Sequence, residues 1–486
     1  MYIGRTKILC DKNEITKENV AQILSEALNV HSNNSSQINY LDEYYRGNQP
    51  ILERTKTIRP EIKNMIVENR AYEFVEFKTG YMLDGAIKYI SRSKKEAITL
   101  EIGKLNDIMV NCDKEDADSD LFEWMYKCGT SYRMIQPNRA LIRNEIVPTL
   151  AKGEVKLPID EAPIEIFTLD PRYSFVVYYS GLGEPPVFGV KYVKREDETT
   201  VYTVYTDNKQ FTITYGEEKE GEEQEPTVIE GANPLGAVPI IEYPLNNSRL
   251  GIVEVIKIIA DAINTVQSNR LDGIEQFVQA LIVLYNCDID DDLAKTLRDA
   301  GLIKLKSIGE NKADIETISE ELNQSETQTL VEGMYQTMLN IIGIPNRNGG
   351  SSTSDTGTAT LVRDGWETTE RRAKKDEKKF KRSERRFLRI VLRVLRDTVG
   401  INLALADIDT KLPARAYKNI LAMAQVLTTM LASDKIHPLL AFEACGMFDD
   451  PQAAYQMSMV YYKSLNNDEK RDNDTNNGNQ PPETTV

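Results

Sequence analysis

Histidine and tryptophan are scarce in this chain of 486 residues, with two of each. The histidines, His31 and His437, stand far apart, and His437 directly precedes Pro438, so neither a Ser-His-acid triad nor a histidine-rich metal site is on offer. Five cysteines, Cys10, Cys112, Cys128, Cys287 and Cys445, form no Cys-x-x-Cys pair; zinc ribbons and disulfide frameworks are excluded, and reduced, inert thiols are expected. No stretch approaches the ~18 consecutive apolar residues of a membrane helix. The opening Met1-Tyr2-Ile3-Gly4-Arg5-Thr6-Lys7 lacks the apolar core of a secretory signal, so a cytoplasmic product is expected. No catalytic residue, metal or cofactor is expected.

What is present reads as globular. Hydrophobic residues make up 41% and charged residues 28%, a balance that argues against a wholly disordered or collagenous chain. The length exceeds one simple core, so two or more structural regions are expected. A net charge of −16 argues against a general DNA-coating protein, but the charge is uneven. Residues 363–396 hold fourteen Lys/Arg against six Asp/Glu, a local excess of eight, which leaves −24 on the remainder.

Residues 14–46 read as a helix, with apolar positions at Ile15, Val20, Ile23, Leu24, Ala27, Leu28, Ile38 and Leu41, closed by Gly47. A second helix is expected from Ile62 to Leu83. Residues 160–245 turn to β-branched and aromatic runs, Phe175–Tyr179, Val187–Val193, Val201–Tyr205 and Phe211–Tyr215, separated by turn residues and an acidic stretch from Glu217 to Glu225. That pattern predicts an antiparallel meander whose acidic stretch is a solvated hairpin tip. From Gly251 the helical period returns over about 30 residues, roughly 45 Å, with Ile252, Val255, Ile256, Ile259, Ile263, Val266, Ile274 and Leu281 on one face. Residues 282–322 read as a small α/β insert: a helix near Asp291–Asp299, then strands at Leu302–Lys306 and Asp314–Ile318. A helix over Ser325–Ile342 follows, so two helices flank a tip.

Gly343 to Gly357 is glycine- and serine-rich, yet no lysine occurs between Lys312 and Lys374, so the P-loop pattern is not met and an interhelical loop is expected. The helix after it, Ala359 to about Asp397, carries Trp366, Ala373, Phe380, Phe387 and Val394 at intervals of seven under a coat of Lys and Arg. Its basic face is read as solvated or subunit-pairing rather than as a DNA-phosphate contact. The interleaved Glu367, Glu370, Asp376, Glu377 and Glu384 suggest helix-surface ion pairs. Asp288, Asp290, Asp291 and Asp292 lack the glycine and distal glutamate of a calcium loop and read as an acidic helix start. Residues 412–465 form a helical unit, and a disordered tail is expected after Leu465.

The order Val238-Pro239-Ile240-Ile241-Glu242-Tyr243-Pro244, Asp261-Ala262-Ile263-Asn264, Gln267-Ser268-Asn269-Arg270 and Ala280-Leu281-Ile282-Val283-Leu284 resembles the portal proteins of long-tailed phages of Gram-positive hosts. Tyr44 to Ile51, Lys78-Thr79-Gly80-Tyr81-Met82, Cys128-Gly129-Thr130-Ser131-Tyr132-Arg133, Asp170-Pro171-Arg172, Thr356 to Leu361, Ser433-Asp434-Lys435-Ile436 and Asp449-Asp450-Pro451 agree in the same order, over about residues 38–460. Asp84-Gly85-Ala86-Ile87 departs from the family's more usual Gly-x-Pro, which concerns only a turn.

The resemblance implies a mixed α+β portal fold in a ring oligomer, with a wing over 1–250 and stem helices over 251–281 and 325–343. It places an α/β clip at 282–324, a tunnel loop at 344–358, a long basic wing helix at 359–405, a helical crown at 406–465 and the tail at 466–486. The loop residues Asn346, Arg347, Asn348, Ser351, Ser352, Thr353, Ser354 and Asp355 would face the channel, and Trp366, Phe380 and Phe387 would pack subunits together. The implied partners are further copies in a dodecamer, double-stranded DNA held without sequence specificity, the terminase large subunit, a head-completion adaptor, and scaffold and major capsid proteins, with no membrane. An acidic protein suits passage of DNA, since many unpaired lysines would hold it by counterion release. The competing readings are a metal-dependent DNA-processing enzyme using Asp288–Asp292, and a scaffold-type virion protein built around the basic helix.

Overall fold

Ile8–Cys10 and Val20–Tyr45 begin the regular structure as strand β1 and helix α1. The structure, a computed structural model, describes residues 3–57, 60–93, 95–138, 149–151, 154–156, 161–196, 199–215, 226–278, 281–285, 314–318, 324–346, 365–413, 420–448 and 450–476. The chain divides into two compact units, one formed by Met1–Asp42, Glu73–Val255 and Gly343–Val486, the other by Glu43–Tyr72 and Ile256–Ile342.

In the first unit, α1 is followed by α2 (Arg70–Met82), β2 (Lys88–Ser91), α3 (Glu96–Asn111) and α4 (Lys114–Cys128). The sequence reading had no element for α3 or α4, whose apolar positions are sparse: α3 buries Ile102, Leu105 and Met109, and most of α4's inner face is charged or aromatic. Strands β3 (Thr130–Pro137), β4 (Thr149–Ala151), β5 (Glu154–Lys156) and β6 (Ile164–Leu169) come next. The expected meander is there as β7 (Ser174–Tyr179), β8 (Pro186–Lys194), β9 (Thr200–Tyr205), β10 (Lys209–Thr214) and β11 (Thr227–Ala232), each antiparallel to the next. Strand β1 adds in parallel to β7 and completes six strands. The acidic stretch joins β10 to β11; residues 216–225 themselves lie outside the described residues.

The inner sheet face follows from the period-2 alternation. Phe175, Val177, Phe188, Val190, Val204, Phe211 and Ile213 are buried together with Val20, Ile23, Leu24 and Ala27 of α1. Each large side chain so buried contributes about 1.5–3 kcal/mol. Strand β12 (Ile240–Pro244) pairs with β3, and β3 with β6, to make a second sheet. Gly189 lets the two layers close, because a Cβ there would lie 2.7 Å from Ile240 Cβ.

Helix α5 (Ile252–Val278) carries the chain into the second unit, where β13 (Leu281–Tyr285) and β14 (Asp314–Ile318) pair antiparallel and α6 (Gln324–Ile342) returns. Leu281 therefore opens a strand instead of closing the helix: Leu281 to Tyr285 is a continuous apolar run, and its length suits a strand. The expected helix at 291–299 and strand at 302–306 lie outside the described residues.

Helix α7 (Trp366–Val399) is the long basic helix, and Ile408–Lys411 then pairs with β2 as β15. Helices α8 (Ile420–Leu431), α9 (Pro438–Cys445) and α10 (Pro451–Asn476) close the chain. Asp450 caps α10, its Oδ1 accepting from the N–H groups of Gln452 and Ala453 at 3.0 Å, with Pro451 in the first turn. Once started, a helix gains a hydrogen bond per added residue, and α10 runs on to Asn476 where a disordered tail from residue 466 was expected.

The second expected helix also begins later, at Arg70 instead of Ile62, because residues 63–69 are held by the second unit. Asn264, Ser268 and Asp272 lie one turn apart on α5. They accept the backbone N–H groups of Glu68, Ile66 and Asn64 at 3.0, 3.0 and 2.8 Å. Four helical residues rise about 6 Å and two extended residues about 6.6 Å, so the two periods match.

Candidate functional site

The long helix α7 is built around its seven-residue stripe. Ala373, Phe380 and Phe387 are buried, Trp366 and Val394 half-buried. Phe380 stacks on Phe122 of α4 at 4.9 Å between centroids and lies 5.2 Å from Tyr243 of β12. Phe380 and Phe387 are 0% exposed within a single chain. Neither ring leaves area for a neighbouring subunit, so the expectation that they pack subunits together is corrected to packing within the protomer.

Beside these rings lies a charged cluster that sequence reasoning missed. Lys114 Nζ is 2.7 Å from Asp118 and 3.2 Å from Glu384; Arg133 pairs with Asp118 and, at 3.3 Å, with Glu384. Tyr89 and Tyr243 donate their hydroxyls to the two Glu384 oxygens at 2.6 and 2.7 Å. Two cations and two carboxylates balance, and all four side chains are almost wholly buried. Burial pushes the Glu384 carboxyl up, but Lys114 and Arg133 hold it below the ordinary carboxylate range. A neutral cluster of this kind fixes α7 against β2, β3, β12 and α4.

The acids of α7 thus divide. Glu367, Glu370 and Glu377 make surface pairs one turn along, with Arg371, Lys374 and Lys381, as the sequence suggested. Glu384 is buried instead, and Asp376 is half-buried beside Tyr126. The available signal was position: 373, 376, 380, 384 and 387 share one helical face.

Both ends of the glycine-rich segment rest on α2. Gly343, at φ 72, follows α6 with its carbonyl 3.4 Å from Lys78 Nζ. Trp366 stacks on Tyr81, centroids 6.2 Å apart, and lies 6.4 Å from Phe77. Burial lowers the Lys78 pKa to about 8 and raises Asp376, which faces it from α7, to about 6. Of the expected loop residues, Asn346 is half-buried beyond the buried Ile344. Arg347, Asn348, Ser351, Ser352, Thr353, Ser354 and Asp355 lie outside the described residues.

No group of three His, Cys, Asp or Glu side chains among the described residues could hold a metal ion. Asp288 and Asp290–Asp292 lie outside the described residues. Burial pushes the thiols of Cys112 and Cys128 up to about 12 and about 11, so neither is a nucleophile at neutral pH. No helix among the described residues is long and apolar enough to cross a membrane.

The family model for SPP1 Gp6-like phage portal proteins matches residues 24–465. No curated protein matches significantly. Among solved structures, the chain resembles one in the neck of an empty GTA particle, with 11% identity over 79% of this chain and 91% of that one and a TM-score of 0.43. With the family model spanning nearly all of its length, the chain belongs to the SPP1 Gp6-like family of phage portal proteins.

Proposed function

We propose that this portal subunit assembles as a dodecamer around a channel for double-stranded DNA, with residues 1–250 and the helix at 359–405 as wing. Residues 251–281 and 325–343 form the stem, 282–324 the clip, 344–358 the tunnel loop and 406–465 the crown. The clip docks the terminase large subunit during packaging and a head-completion adaptor afterwards, and scaffold and major capsid proteins surround the ring. DNA is contacted without sequence preference. ATP hydrolysis belongs to the terminase, so the ring itself performs no chemistry. Assembly takes place in the host cytoplasm, before the subunit becomes part of the virion.

The observation that carries this reading is the pair α5 and α6 bracketing β13–β14, each with apolar side chains left exposed in one chain. Ile258 on α5 and Leu330 on α6 are each 55% exposed. Apolar residues repeated along stem helices call for neighbours, which a ring supplies.

Negative-stain electron microscopy of the purified protein, with its mass in solution, tests the reading. Rings with a central hole and a mass near twelve chains are expected. A compact monomer at both low and high salt would overturn it.

A further inference from the structure

Helix α7 pairs some of its cations with its own carboxylates and leaves others without one. Arg371, Lys374 and Lys381 each have a carboxylate one turn away, at 2.5, 2.7 and 2.8 Å. The row Lys378, Arg382 and Arg386 is cationic at every turn, and like charges at this spacing repel.

Arg382 and Arg386 open onto a cavity of about 230 Å³, whose wall also carries Lys379, Lys7 and Arg249. Two carboxylates share that wall, and both are engaged. Glu184 is paired with Lys7. Glu242, buried, accepts from Arg249, Tyr178 and Thr130. Lys379 has a neutral partner, Asn247 Oδ1 at 2.5 Å. Among the described residues neither Arg382 nor Arg386 has a hydrogen-bond or ion-pair partner. Three positive charges therefore converge on one cavity without compensation, beside the Glu242–Arg249 pair.

We propose that this cavity is a binding site for a phosphate-type oxyanion, gripped by the Arg382 and Arg386 guanidiniums and the Lys379 ammonium. Paired guanidinium forks match the oxygens of a tetrahedral anion. At ~30 Å³ per water, the cavity holds such an anion with several waters. The phosphate group is supplied either by free phosphate or by a nucleic-acid backbone; the chemistry of recognition is the same. The site does not depend on the ring count or on the tunnel loop.

The test is calorimetric titration of the full-length protein with inorganic phosphate at low ionic strength. Saturable binding is expected, weakened at least tenfold in the Arg382→Gln/Arg386→Gln variant and unchanged in Arg389→Gln, an exposed cation outside the cavity. Circular dichroism and mass in solution should match across all three proteins. A short DNA duplex that displaces phosphate from the wild type, but binds the double variant weakly, identifies the backbone as source. Phosphate binding unaffected by duplex identifies the free anion. Absence of saturable binding, or equal binding by the double variant, overturns the proposal.

Discussion

Trp366, the first residue of the long helix, stacks on Tyr81 of α2 with centroids 6.2 Å apart and planes inclined by 27°. One turn earlier on α2, Lys78 reaches the carbonyl of Gly343. The glycine-rich segment thus starts and ends on the same helix, which limits the entropy cost of its closure.

Trp366→Ala removes aromatic contacts worth about 1 kcal/mol each. The ring should keep its mass, while proteolytic cleavage within 347–364 speeds up and DNA packaging falls. Deleting Asn348–Thr353 should likewise spare assembly and impair packaging. Wild-type packaging by both variants would remove the segment from the function.

Phe380→Asp places a charge where the ring now meets Phe122 and Tyr243. The loss is about 3–5 kcal/mol for the cavity alone, before the buried charge is counted. The protomer itself should fail to fold stably, seen as lost near-ultraviolet circular dichroism and aggregation. A well-folded, soluble monomer would instead place the ring between subunits.

Glu384→Gln leaves Lys114 and Arg133 with one carboxylate between them and should cost about 3–5 kcal/mol at pH 7, read by urea unfolding. Because the wild-type carboxyl is depressed, its contribution is complete above the ordinary glutamate value of ~4.3 and is lost as pH falls through the folded value. The gap between the two proteins should therefore narrow below pH ~4. A constant gap would show that charge is not its origin.

His31 stacks on Phe175 at 4.3 Å, and burial lowers its pKa to about 4, despite its contact with the Arg172 carbonyl. Below the ordinary value of ~6.5 the unfolded chain takes up a proton that the folded chain refuses, so stability declines as pH falls toward 4, by on the order of 3 kcal/mol. His31→Gln should be less stable at pH 7 but lose less over that range. Parallel pH profiles for the two proteins would exclude His31 as the titrating group.

Asp272 accepts from Asn64 N at 2.8 Å and pairs with Lys56 and Arg54 at 2.9 and 3.0 Å. Asp272→Ala strands these donors and should cost about 3 kcal/mol. Hydrogen exchange at the amides of Asn64 and Ile66 should accelerate more than at residues in the middle of α1. Unchanged exchange at those amides would mean that the contact does not hold the segment.

The strands of the meander and the helices α5, α6 and α7 were legible because their signals are local. Val201–Tyr205 is a β-branched and aromatic run, and Phe380 and Phe387 stand seven residues apart, whatever lies nearby. Helices α3 and α4 were not legible for the converse reason. Lys114 and Asp118 read as surface charge until Arg133, 15 residues beyond Asp118, and Glu384, 251 residues beyond Arg133, are brought beside them. The anchorage of Gly343 and Trp366 on α2 was not legible, since nothing in Lys78 or Tyr81 announces either as a partner.

The sequence by itself determined the collinear motifs that place the chain among portal proteins, the order of sheet and long helices, and the uneven charge concentrated on one helix, because period, composition and order are properties of the chain alone. Only the tertiary structure decided that Phe380 and Phe387 belong to the protomer's own core, and that Glu384 is buried while Glu367, Glu370 and Glu377 are not. It likewise decided that residues 63–69 lie along Asn264, Ser268 and Asp272 instead of forming a helix. Burial and hydrogen-bond partnership are set by neighbours about 200 residues distant, and no local pattern carries that information.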